Sequence, residues 1–313
     1  MADILKTISK KIETKSYDNY VEFIMHEKTI REENMQVPGN AFEGWAIVVH
    51  IEKQKKIKLE VIFDKIEKAD NGDKHWNRFL YRAMKFSEQY SEWFELGDSI
   101  ENVVEQFKNN LYKEKCVNNP PTKNADNTDR ICDENSVEAL LAEPKKLKKI
   151  LVHVDNVGDK VYRQLPVGLF KGEKKKENAI FTYGHSAIDL WNICGDTINI
   201  IELKTQNPMI GIITEIFFYT NYIYDFVINK NSKFELSEPT KGMDIDALRG
   251  YNELYDRRCE LKKVQGIMLA DEYHSFIMKN RKKICDELNR NKAKIKYCFE
   301  SYKIMIEKND IVR

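Results

Sequence analysis

The sequence predicts a fold of the α/β class, α+β overall, with a mixed sheet in its C-terminal half and an α+β unit ahead of it. Three observations predict this. Two strand-like runs, Ser186 to Trp191 and the Ile- and Thr-rich Thr197 to Lys204, flank the turn signal Cys194-Gly195-Asp196-Thr197, as a strand pair does. From Thr205 to Tyr224 the one charged side chain is Glu215, set among Ile212, Ile213, Ile216, Phe217 and Phe218, so this is a helix buried on nearly all sides. Strand and helix then alternate: Val264 to Leu269, Asp271 to Asn289, Lys294 to Ile304.

Taken in order, residues 2 to 33 read as a charged helix, with Ile4, Leu5, Ile8 and Ile12 on one stripe. Pro38-Gly39-Asn40 breaks it. Gly44 to Glu52 and Lys56 to Asp64 read as a strand hairpin turning at Lys53-Gln54-Lys55. The cluster Asp70-Asn71-Gly72-Asp73 is a turn. It leads into a helix from Lys74 to Glu95, whose Trp76, Phe79, Leu80, Met84, Phe86, Tyr90 and Trp93 recur at helical spacing. Core packing is the expected role of that stripe, and base stacking the alternative. A helix from Ser99 to Lys113 closes an N-terminal unit, residues 1–117, that carries no catalytic constellation.

Residues 118–135 open on Asn118-Asn119-Pro120-Pro121 and form the best loop or linker. A domain at 136–313 follows. It starts with a helix from Ser136 towards Lys148, which Pro144 kinks or ends. Ile150 to Val154 and Lys160 to Phe170 are expected strands. Asn229 to Asp244 is a polar connection, and Asp246 to Lys262 a charged helix.

Composition narrows the function. A hydrophobic share of 42% supports a proper core, and 32% charged residues give a solvated surface. The net charge of +1 drives no global attraction to nucleic acid, so such binding would need a local patch. One exists: between Lys145 and Lys176 stand ten Lys or Arg against three acids, and Lys171, Lys174, Lys175 and Lys176 are the candidate phosphate contacts. The six cysteines show no Cys-x-x-Cys, which argues against zinc and for free thiols in a reducing cytoplasm. The N-terminus lacks a signal-peptide core. Glu215, Asn221 and Asp225 interrupt the apolar run and exclude a membrane span there. Asp271-Glu272-Tyr273-His274 imitates a helicase box, but no phosphate-cradling Gly-Lys-Ser/Thr loop accompanies it, and His274 reads as structural.

The chemistry converges on the strand pair. Glu202 and Lys204, two apart, leave their strand on one face roughly 6.6–6.8 Å apart along it. The hairpin brings Asp189 beside them. Two carboxylates and the Leu203 carbonyl between Glu202 and Lys204 are hard oxygen donors suited to Mg²⁺ or Mn²⁺. Lys204 would orient water or stabilise charge on a phosphate. Glu215, alone in an apolar helix, needs a cation, a donor or a metal, and the Lys204 site is the nearest partner. The competing reading is an ordinary exposed Glu–Lys pair, with Glu215 satisfied by hydroxyls such as that of Tyr219.

Asp189, then Glu202-x-Lys204, then a helix opening near Asn207-Pro208, together resemble the core of the PD-(D/E)XK nuclease superfamily. Ile188 stands where Pro is common. Glu215 with Tyr219 occupies the spacing of a Gln-x-x-x-Tyr motif found in some of its families. The resemblance covers the chain from about Glu138 onward. It implies a restriction-endonuclease-like, three-layer core with a mixed central sheet, and a metal-dependent nuclease cutting DNA in restriction, phage defence or repair. It also implies that a helix ahead of the sheet sometimes supplies another acid, for which Glu138 and Glu143 are candidates. The alternatives are a non-cutting nucleic-acid-binding module of the same fold and a protein-interaction subunit. A homodimer or a partner protein would then use the N-terminal unit.

Overall fold

The computed structural model describes residues 4–65, 72–125, 134–182, 186–290, 293–305 and 310–313. The N-terminal region builds a four-stranded sheet from β1 (Ile12–Ser16), β2 (Tyr20–His26), β3 (Lys56–Ile62) and β4 (Phe94–Leu96), in that order. β1 pairs antiparallel with β2, and the other neighbours are parallel. Around them lie α1 (Glu27–Glu32), α2 (Phe42–Lys53), α3 (Gly72–Gln89) and α4 (Glu101–Leu111).

Two sequence expectations are corrected here. The expected helix over 2–33 is not formed: its described part, 4–33, holds a short 3₁₀ turn, β1, β2 and α1. Val21, Phe23 and Met25 are buried with period two, and this β-branched and aromatic run outweighs the Ile4–Ile12 stripe. Gly44 to Glu52 is helical, within α2. Its Ala46-Ile47-Val48-Val49 run is fully buried, and a helix covered on all sides shows no periodicity to tell it from a strand. Gln54 ends α2 in the left-handed conformation, at φ 54°, so Lys53-Gln54-Lys55 is a helix cap leading into β3. Part of the expected turn at 70–73 lies outside the described residues.

The C-terminal half continues with β5 (Cys116–Val117), α5 (Glu134–Leu141), α6 (Pro144–Ile150), β6 (Tyr162–Pro166), β7 (Leu169–Lys171), β8 (Ala179–Phe181), β9 (Ala187–Cys194) and β10 (Thr197–Lys204). After these come α7 (Gly211–Val227), β11 (Phe234–Glu235), α8 (Tyr251–Arg257), β12 (Lys263–Ala270), α9 (Ser275–Leu288), β13 (Ile295–Ser301), β14 (Lys303–Met305) and β15 (Asp310–Val312). The central sheet runs β13-β12-β10-β9-β6. β9 runs antiparallel to both of its neighbours, β6 and β10, whereas β10, β12 and β13 are parallel, so the sheet is mixed.

Its two faces bury two cores. One packs against α7 and α9 through Ile198, Ile200, Val264 and Met268, and is continuous with the core under α2, α3 and the N-terminal sheet. The other packs Ile201, Leu203, Ile267 and Leu269 against α5 and α6. Helix, sheet and helix therefore form three layers, and the chain is a mixed α/β, α+β fold. Each fully buried Ile, Leu or Phe contributes about 1.5–3 kcal/mol relative to exposure, which is why α7 tolerates so few polar positions.

Ile150 to Val154 is not a strand: it holds the end of α6 and the turn after it. Residues 160–170 divide between β6, on the central sheet, and β7, which joins β11, β5 and β8 in a second small sheet. The expected helix to Glu95 ends at Gln89, and Phe94 and Glu95 belong to β4. The aromatic stripe is core all the same, with Phe79 and Phe86 inaccessible, Trp76 buried on α3, and Tyr90 and Trp93 buried in the turn after it. Among the described residues no helix is long and apolar enough to cross a membrane, and five cysteines carry free thiols.

Candidate functional site

The site forms where β9 and β10 part. Their ladder ends at the pair Ile201 and Leu190, one residue short of Asp189 and Glu202. β10 continues against β12 as far as Lys204 and Ala270. In the fork the Asp189 carboxylate takes the ladder's place: Asp189 Oδ2 accepts the backbone N–H of Leu203 at 2.8 Å. Alternation along β10 turns Ile201 and Leu203 to the α5–α6 core and sends Glu202 and Lys204 to the α7 side.

There Lys204 Nζ is enclosed by oxygen. It donates to Glu202 Oε1 at 2.7 Å and to the Leu203 carbonyl at 2.8 Å, and pairs with Glu215 Oε2 at 3.0 Å. Glu134 Oε1 stands 3.7 Å away. Lys204 and Glu202 are each 3% exposed and Glu215 6%, so this is a buried cluster rather than a surface pair. Tyr302 holds the strand end by donating to the Lys204 carbonyl at 3.0 Å. The Asp271 carboxylate holds the following turn by accepting the Gln206 N–H at 3.0 Å.

The charges do not balance. Asp189, Glu202, Glu215 and Glu134 surround one ammonium. Burial pushes Asp189 well above the usual carboxylate range, with Glu134 adding to it against the pull of Lys204. Burial likewise raises Glu202 well above its usual range, reinforced by Asp189 and Glu215. Burial also raises Glu134, against the pull of Lys204. Lys204 loses stabilisation of its charge by burial, but Glu202 first, then Glu215, Asp189 and Glu134, outweigh that and hold its pKa well above the ordinary lysine value. Glu202 Oε2 is buried and has no hydrogen-bond partner among the described residues.

The other candidates separate. Glu138 is buried on α5, bonded by Arg163 Nε at 2.8 Å and Gln164 Nε2 at 3.3 Å, and lines the cleft that Asp189 also lines. Glu143 is exposed and pairs only loosely with Lys146, at 3.7 Å, so it does not join the site. Lys171 pairs with Glu114 at 2.6 Å and Lys175 with Glu173 at 2.7 Å on the surface, and Lys176 is exposed in a 3₁₀ turn. Lys174 alone of the four lines the Asp189 cleft, which measures about 610 Å³. His274 caps α9 by accepting the Phe276 N–H, a structural role.

Two participants escaped the sequence reading. Glu134 lies one turn before Glu138 on α5, an i, i+4 spacing that puts both on one face. Gln36 comes from the N-terminal region, its side-chain amide 2.6 Å from Glu215 Oε1; facing a carboxylate, the amide is assigned with its nitrogen toward Glu215, so that it donates. Nothing in the local sequence signals that contact. Among the described residues, no three His, Cys, Asp or Glu side chains stand together at liganding geometry, and the Lys204 ammonium lies between Glu202 and Glu215.

Comparison with family models, with curated proteins and with solved structures returned no match.

Proposed function

We propose that the chain is a metal-dependent nuclease that hydrolyses phosphodiester bonds in DNA, of the PD-(D/E)XK kind, acting in restriction, phage defence or repair. The observation that carries the reading is Glu202 Oε2: a buried carboxylate oxygen with no partner, in a cluster where carboxylates outnumber cations. Both features oppose stability, since an unsatisfied buried polar atom and an excess of buried carboxyl groups are costly. The order of the parts also supports it: acid on β9, Glu-x-Lys on β10, a buried helix next, parallel strands β12 and β13, and α5 bringing Glu134 from the other side.

The donor atoms are of the chemical type a hard divalent cation takes. Asp189, Glu202 and the Leu203 carbonyl would hold Mg²⁺ or Mn²⁺, and all three are oxygen ligands. Bound there, such an ion would supply a water of lowered pKa and positive charge beside the phosphate. The chain's own groups do the rest. Lys204, whose ammonium is held by Glu202, the Leu203 carbonyl and Glu215, would place its positive charge beside the negative charge that develops on the phosphoryl oxygens. Glu215 sets the position of that ammonium. Lys174 lends positive charge to the wall of the cleft through which a strand would reach Asp189.

The test is incubation of the purified protein with linear, circular and single-stranded DNA, with and without Mg²⁺ or Mn²⁺. Cleavage that requires metal and disappears in Asp189→Ala is the expected result. DNA binding without cleavage under every metal would instead favour a non-cutting module.

A further inference from the structure

We infer that Gln36 is a positioning residue of the site: it acts through Glu215, and the N-terminal region thereby completes the seat of the Lys204 ammonium. This rests on the reading of Lys204 as the charge-bearing group of the reaction.

The amide of Gln36 bridges the Glu215 carboxylate, 2.6 Å from Oε1 and 3.2 Å from Oε2. Oε2 is the atom that lies 3.0 Å from Lys204 Nζ. A glutamate on a helix has three side-chain torsions, and here two outside groups hold it, Gln36 closer to Oε1 and Lys204 at Oε2. Without Gln36, Lys204 alone would orient it, and a long acid held at one end can swing away.

The segment that carries Gln36 is itself held from several sides. Asn40 Nδ2 donates to the Glu33 carbonyl at 2.9 Å and to the Ile30 carbonyl at 3.3 Å. Arg78 Nη2 donates to Asn34 Oδ1 at 2.9 Å, Arg82 Nη2 to the Asn40 carbonyl at 2.6 Å, and Trp45 Nε1 to the Pro38 carbonyl at 3.0 Å. Contact with α7 is equally close. A Cβ on Gly211, the first residue of α7, would lie 1.9 Å from the Gln36 carbonyl oxygen, and a Cβ on Gly44 would lie 2.7 Å from the Ile210 carbonyl oxygen. Only glycine at these two places lets the backbones meet. The segment is therefore a rigid brace on the first turns of the helix that presents Glu215.

The experiment compares Gln36→Met, which keeps the length and removes the donor, with wild type, Glu215→Gln and the double variant. Proton exchange of the Lys204 ammonium is read in ¹⁵N-lysine spectra, with the signal assigned by its loss in Lys204→Met. Gln36→Met should speed that exchange about tenfold, the effect of loosening one charged hydrogen bond. In the Glu215→Gln background the same change should do nothing further, because the route runs through Glu215. With DNA and Mg²⁺, Gln36→Met should lower kcat and leave KM unchanged. Unaltered ammonium exchange in Gln36→Met, or an equal acceleration in the Glu215→Gln background, overturns the assignment. Absence of cleavage by the wild type would defeat the nuclease reading alone, since the exchange measurement decides the role of Gln36 without it.

Discussion

Helix α7 touches two kinds of buried charge, and they differ in what they leave over. Glu43 of α2 meets Arg82 of α3 in a bidentate pair, Nε to Oε1 at 2.7 Å and Nη2 to Oε2 at 2.6 Å, with Thr214 donating to Oε2 at 3.0 Å. Asp225, near the other end of α7, accepts from Lys85 and Tyr81 at 2.8 Å and from Asn229 at 2.9 Å. In both, one acid meets one cation and every acid oxygen is bonded. The Lys204 cluster has several acids to one cation and an orphaned oxygen. Balanced clusters lock helices together; the unbalanced one retains capacity for a further positive charge.

The largest effect that would break this comparison is on stability at the balanced end. Arg82→Met leaves Glu43 buried without its partner and should cost about 3–5 kcal/mol, read as a lowered midpoint in urea unfolding. Pairing it with Glu43→Leu should recover much of the loss. If Arg82→Met is as stable as wild type, the locking role is wrong.

At the unbalanced end the loss should fall on chemistry. Lys204→Ala is expected to slow cleavage roughly 10²–10³-fold, equivalent to about 2.7–4 kcal/mol of transition-state stabilisation, with DNA affinity in Ca²⁺ nearly unchanged. Lys204→Arg should not restore the rate, because a planar fork does not replace a compact ammonium. Cleavage at the wild-type rate by Lys204→Ala would move the activity elsewhere.

Metal sharpens the contrast further. Saturating Mg²⁺ at a hundred times its Kd should stabilise the wild type by about 2.7 kcal/mol, and Asp189→Ala should lose that gain while remaining folded. The gain should depend on pH. Asp189 and Glu202 have folded-state pKa values raised above those of free carboxyls, so the folded chain binds more protons than the unfolded one. Stability without metal therefore falls as pH rises from about 4 through the raised values. Over the same window the metal-induced rise in Tm should grow, because the ligands must be deprotonated to bind. A rise that shrinks with increasing pH would count against carboxylate ligation.

The smallest effect concerns the lysines. Lys174→Gln should lower the slope of log K against log salt by about 0.9, one phosphate contact on duplex DNA. Lys171→Gln and Lys175→Gln, whose side chains are already paired with acids, should change it less. Equal slopes for all three would remove the cleft from the binding path.

Much of the site was legible in the sequence because it is local. Glu202 and Lys204 share a strand and a face by the period of two, and β10 spans the residues the Ile- and Thr-rich run predicts, Thr197–Lys204. Glu215 declared itself as a lone acid in an apolar helix. What composition and periodicity determined, then, was the hairpin, the buried helix after it and the alternating elements beyond. Where a run is buried on every side, as at Ala46 to Val49, periodicity vanishes, and length and packing alone chose helix over strand. Only the tertiary structure could decide that Gln36, 179 residues before Glu215, would bond to it, that Glu134 rather than Glu143 would approach Lys204, and that Lys174 alone of its lysine run would line the Asp189 cleft. Those contacts depend on how elements distant in the chain pack, and side-chain type at one position carries no record of its neighbours in space.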